Sequence, residues 1–90
     1  MNKERRNTIK SLINELYEVK EQMEKIKSRI EDVRTEEDDA YENMPEGIQN
    51  SERGDVMQQN VEYLEDAFDS VDNAIGELED GLNTLENDIE

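Results

Sequence analysis

Residues 9–33 read IKSLINELYEVKEQMEKIKSRIEDV. Apolar side chains fall at Ile9, Leu12, Leu16, Val19, Met23, Ile26, Ile30 and Val33, and the spacings alternate 3 and 4 without a break. A series of this kind stays on one side of an α-helix and is the heptad repeat of a coiled coil. It runs on through Glu37 and Ala40 to Met44, with Glu37 as its one charged position. A second series follows at Met57, Val61, Leu64, Phe68, Val71, Ile75, Leu78, Leu82, Leu85 and Ile89, with spacings of 4 and 3 throughout. Spacing alone therefore predicts two long helices.

The junction agrees. Pro45 follows Met44, and a residue before proline is pushed out of helical backbone, so helix one is expected over about 3–44. The stretch 45–54 holds the one Pro and two of the four Gly, and it reads as the connection. Helix two is expected over about 55–89, with Asp55 as cap and Gln58 at capping-box spacing; Ser51 is an earlier candidate cap. Gly76 and Gly81 each weaken that helix by roughly 1 kcal/mol relative to Ala.

Charge decides how the helices meet. With Ile9, Leu16, Met23 and Ile30 at heptad position a, the e row of helix one is Ile13, Lys20, Lys27, Arg34 and Tyr41. With Val61, Phe68, Ile75 and Leu82 at a in helix two, its e row is Gln58, Glu65, Asp72, Glu79 and Glu86. An antiparallel pair sets e against e, which matches Lys20 with Glu79, Lys27 with Asp72 and Arg34 with Glu65. All three pairs of residue numbers sum to 99, one common register. Core layers in that register match Met23 with Leu78, Ile26 with Ile75, Ile30 with Val71 and Val33 with Phe68. The expected fold is all-α, an antiparallel two-helix coiled-coil hairpin forming a single domain.

Such a hairpin buries little surface relative to the chain entropy it must offset. The g row of helix two, Asn60, Ala67, Ala74 and Gly81, is small enough to admit a close neighbour. A homodimer forming a four-helix bundle is the expected assembly.

Composition narrows the function. Ninety residues and 10.5 kDa allow one small domain, and 26 acids against 10 bases give a net charge of −16. Like-charge repulsion argues against direct binding to nucleic acid or an anionic membrane. There is no His, Cys or Trp, so His or Cys catalysis, disulfides and thiolate metal sites are not available. No cofactor and no metal are expected. The absence of a signal or membrane-spanning pattern gives a soluble, cytoplasmic expectation.

The charge is also uneven. Residues 1–34 carry +2, residues 35–90 carry −18, and no Lys or Arg follows Arg53. Once the e-row acids are matched, Glu62, Asp66, Asp69, Glu77 and Asp80 remain on the outside of helix two. Carboxylates three or four residues apart on a helix lie about 5–6 Å from each other, comparable to successive phosphates along a nucleic-acid strand. The run Glu36-Glu37-Asp38-Asp39 opposes the dipole of helix one near its C-terminal end and contributes nothing evident to stability. These nine acids are the candidate partner-binding residues, and the partner they suit is a protein with a basic surface. The plainer alternative is a solvated face that serves solubility.

Enzymatic signals are weak. Glu62-x-x-Glu65 with Glu77-x-x-Asp80 looks like the paired acidic motifs of all-α nucleotide pyrophosphohydrolases, but Glu65 is matched to Arg34 and helix two offers no base for a triphosphate. No stretch matches a calcium loop. Tyr17, Tyr41 and Tyr63 lie off the main seam and read as packing or dimer contacts.

The connection Asn43-Met44-Pro45-Glu46-Gly47-Ile48-Gln49-Asn50-Ser51-Glu52-Arg53-Gly54, followed by an acidic helix, resembles small acidic helical-hairpin proteins of phages and prophages. The resemblance covers roughly residues 15–90 and carries no established activity. It implies a bacterial host cell as the setting, where small acidic phage proteins block host defence or nucleic-acid enzymes, some by imitating DNA. The expected function is a non-enzymatic inhibitor of that kind, with a structural or assembly coiled coil as the alternative.

Overall fold

A computed structural model describes residues 1–89. Helix α1 spans Lys3–Glu42, a single turn α2 spans Glu46–Gln49, and α3 spans Glu52–Asn83, continuing into a five-residue π-helical turn at Thr84–Asp88. The long helices fold back on each other as a hairpin whose Cα extents are 69 × 15 × 14 Å. The expected helical hairpin is the observed fold.

Local chemistry sets each end. Asn2 caps α1, its Oδ1 accepting the Arg5 N–H at 2.8 Å. Helix one closes at Glu42 rather than Met44. The Met44 N–H reaches back only three residues, to the Tyr41 carbonyl at 3.1 Å, which tightens the last turn ahead of Pro45. No basic residue sits in that turn to satisfy the helix dipole. The Gln49 side chain takes the role instead, donating from Nε2 to the carbonyls of Tyr41 at 2.9 Å and Glu42 at 3.3 Å.

Helix two begins at Glu52, three residues before the Asp55 start. The Ser51 carbonyl already accepts the Asp55 N–H at 3.1 Å, so Asp55 lies inside the helix and Ser51 holds the cap position. Ser51 does not cap through its side chain, because its hydroxyl donates backwards to the Ile48 carbonyl. The chain turns tightly at this point, and Gly54 is buried against the backbone of Gln49. A Cβ at residue 54 would lie 2.0 Å from the Gln49 oxygen.

The seam has the expected ion pairs but not the expected rotation of α1. Lys20 lies 3.3 Å from Glu79, Lys27 2.9 Å from Asp72, and Arg34 3.6 Å from Glu65. On α3 the a row is the most buried, with Ile75 at 5% and Leu82 at 3% exposure. On α1 the half-buried rows are a and e, while the d row stays open: Leu12 is 44%, Val19 48%, Ile26 46% and Val33 49% exposed. The expected layers Ile26–Ile75 and Val33–Phe68 therefore do not close on the α1 side. The half-buried basic side chains explain the difference. Lys20, Lys27 and Arg34 lay their aliphatic stems along the seam to reach the acids of α3, turning the e edge inward and the d edge outward. Lys27 Nζ also stands 5.3 Å from the centre of the Phe68 ring, a cation–π contact.

Two glycines give opposite expectations. Gly54→Ala forces a backbone collision and is expected to lower the thermal midpoint, by roughly 1–3 kcal/mol of stability. A Cβ at Gly76 meets nothing within 4 Å, so Gly76→Ala is expected to raise stability by about 1 kcal/mol. Thermal unfolding followed by circular dichroism reads both.

Candidate functional site: the acidic faces

Five of the nine candidate acids lie along α3, where Glu62, Asp66, Asp69, Glu77 and Asp80 are all exposed. Among the described residues none of the five forms an ion pair, and the ion-paired acids of this helix are Glu65, Asp72 and Glu79 on its e edge. Period 3.6 keeps Glu62, Asp66, Asp69 and Asp80 on one side of α3, off its seam with α1, over an axial run of about 27 Å. Their charges face water with no base near them on the helix, because Arg53 is the last one in the chain.

The run Glu36–Asp39 does not form one face. Each step turns the side chain by about 100°, so four successive residues point around the helix. Glu37 is half-buried, and its Oε2 accepts the Asn60 Nδ2 donor at 2.9 Å. That contact accounts for the charged seam position and leaves Glu37 less available to a partner than expected. Asp38 turns toward α3 and shares with Glu62 a shallow concavity of about 400 Å³, together with Glu42 and Glu65. Glu36 and Asp39 are exposed on other sides of α1. The structure thus joins Asp38 to the α3 acids and separates the remaining members of the run.

Sequence reasoning missed the acids nearest the turn. Glu52 and Asp55 line a second shallow depression with Glu62, which extends the acidic surface to the closed end of the hairpin. Their signal was the early Ser51 start, which puts both residues on the helix with Glu62 at i+7 from Asp55. Arg34 also has a second partner. Glu31, one turn away, accepts from it at 2.6 Å and 3.2 Å, a fork closer than the Glu65 contact. That hydrogen bond holds the Glu31 carboxyl below the usual carboxylate range and raises Arg34 further.

The open end of the hairpin is different in character. Ile9, Ile13, Leu85 and Ile89 enclose a concavity of about 540 Å³, with Arg6 and Lys10 at its rim. Near it the Glu86 carboxylate holds the Tyr17 phenol above its ordinary range. No cluster of three acids among the described residues is arranged to hold a metal ion, and Glu65 of the Glu62-x-x-Glu65 motif faces Arg34. No helix among the described residues is long and apolar enough to cross a membrane.

No protein-family model, curated protein or solved structure matches the chain.

The net charge of −16 sits on a rod 15 Å across, so the folded chain repels itself. The screening length falls from about 30 Å at 0.01 M salt to about 3 Å at 1 M. Raising NaCl from 0.01 to 0.5 M is expected to raise the thermal midpoint by several degrees. A falling midpoint would mean that the three interhelical ion pairs outweigh the repulsion.

Proposed function

We propose that this chain is a non-enzymatic, acidic protein-binding module, a phage-type inhibitor that occupies a basic surface on a host defence or nucleic-acid-binding protein. The observation that carries it is the row Glu62, Asp66, Asp69 and Asp80, exposed and without basic partners on a rigid helix. Carboxylates at these intervals present charge with a repeat similar to a phosphate backbone. A rigid helix holds them in place, so little side-chain and backbone ordering is lost when a basic partner docks. Glu77 and Asp38 widen the surface, and the closed end adds Glu52 and Asp55. The module acts in the bacterial cytoplasm as a homodimer, two hairpins making a four-helix bundle with the acidic helices facing outward.

A second reading is a structural or assembly coiled coil, in which the acids provide only solubility. The open d row of α1 favours it, because that stripe is apolar and asks for a helical neighbour rather than a basic surface.

Affinity capture from a bacterial host lysate, eluted with a salt gradient, separates the two. Inhibition by phosphate mimicry is expected to yield a basic nucleic-acid-binding protein, released by salt and displaced by duplex DNA. Reversal of Glu62, Asp66, Asp69 and Asp80 to Lys is expected to abolish that capture while helicity is retained. Unchanged capture by the reversed variant, or retention only of structural proteins that resist high salt, would overturn the mimic.

A further inference from the structure

The d row of α1, Leu12, Val19, Ile26 and Val33, forms an apolar stripe between 44% and 49% exposed. Near its middle it borders a groove lined by Ile26, Ile30, Val33 and Leu64, with Arg29 at the edge. The chain exposes 6760 Å², whereas a compact monomer of 10.5 kDa exposes about 5,400 Å². The excess exceeds the roughly 800 Å² that each partner contributes to a stable interface.

We propose that a second copy of this chain covers the stripe, with the two α1 helices antiparallel about a two-fold axis at Gln22. The proposal rests on the homodimer of the preceding section and adds its face and register.

Charge selects the register. In an antiparallel coiled coil whose a and d partners sum to 42, Leu16 meets Ile26 of the second copy and Met23 meets its Val19. The same register brings Arg5, the one base in the d row, level with Glu37, the one acid in the a row, whose Oε2 is already held by Asn60 of its own hairpin. On the g edge, partners then sum to 44, so Glu15 faces Arg29 of the second copy twice and Gln22 faces itself. Sliding by one heptad in one direction sets Leu12 on Glu37 and Glu15 on Glu36; the other direction leaves Arg5 on Ile30. Parallel α1 helices would bring g against e, matching Glu15 with Lys20 of the second copy but setting Arg29 on its Arg34. The chosen register sets no like charges against each other along the a, d and g rows, with Glu36 facing Thr8.

Two features of the hairpin agree with it independently. The midpoint of Lys3–Glu42 lies at Gln22 and Met23, so α1 overlaps its copy over its full length. Through the observed Lys20–Glu79 and Lys27–Asp72 pairs, Gln22 lies level with Glu77, midway between Ala74 and Gly81. The same two-fold therefore sets Ala74 against Gly81 of the second copy, where small residues let the α3 helices approach.

Light scattering on the full chain at tens of micromolar tests the assembly and its register. The expected mass is twice 10.5 kDa. Arg29→Glu is expected to weaken the dimer roughly tenfold, and adding Glu15→Arg to the same chain is expected to restore it. Spin labels at Asn14, outside the seam, are expected about 24 Å apart along the axis in the dimer. A monomer would overturn the dimer as a whole, and would leave the stripe to a helix of another sequence. A dimer without charge-swap rescue, or with labels at Asn14 level with each other, would overturn this face and register while leaving a dimer standing. Capture of a basic protein through the outer acids of α3 reads a different surface, so failure there is a separate result.

Discussion

The structure depends on one electrostatic constraint: three bases on the e edge of α1 have to find three acids on the e edge of α3. Lys20, Lys27 and Arg34 reach Glu79, Asp72 and Glu65 in a single register. Each exposed pair adds only tenths of a kcal/mol. Their value lies in choosing among alignments that the apolar repeat alone leaves equivalent, since a heptad slid by seven residues looks almost the same to Leu, Ile and Val. With the register chosen, the closed end, the open end and the outward acidic row all have their places.

The same constraint leaves one side of the hairpin unfinished. Turning the e edge of α1 inward covers the seam with Lys and Arg stems, and it carries Leu12, Val19, Ile26 and Val33 outward. Ile75 and Leu82 are the buried apolar side chains, a small core for two helices of this length. The molecule therefore has two unlike surfaces at its disposal. One is the apolar stripe on α1, suited to another helix; the other is the carboxylate row on α3, suited to a basic partner. The two surfaces lie on different helices and share no side chain.

Much of this was legible from residue spacing. The two helices and the three ion pairs followed from heptad positions and from the sign of charge, both of which are sums over many residues and tolerate local error. The rotation of α1 was not legible. It depends on how far a lysine stem can lie across a seam, and a heptad diagram treats that side chain as a point. The early start of α3 turned on a carbonyl and a glycine packing, Ser51 and Gly54, which sequence ranks below a good side-chain cap. Gln49 capping α1 and Asn60 satisfying Glu37 join residues 7–23 positions apart, contacts that only the folded turn creates. Of the candidate acids, the α3 row emerged as one surface because its spacing is helical, whereas Glu36–Asp39, being consecutive, wraps around its helix.

The measurement that bears most directly on this account is the distance between spin labels at Glu24 on α1 and Glu77 on α3, both outward positions at the same level of the hairpin, in doubly labelled chain diluted with unlabelled protein. The register of the three ion pairs gives a single narrow distribution at about 20–30 Å, two packed helix diameters with side chains. A distance beyond about 50 Å would mean that α1 and α3 of one chain extend end to end instead of folding back, and would contradict the hairpin from which every other surface described above is placed.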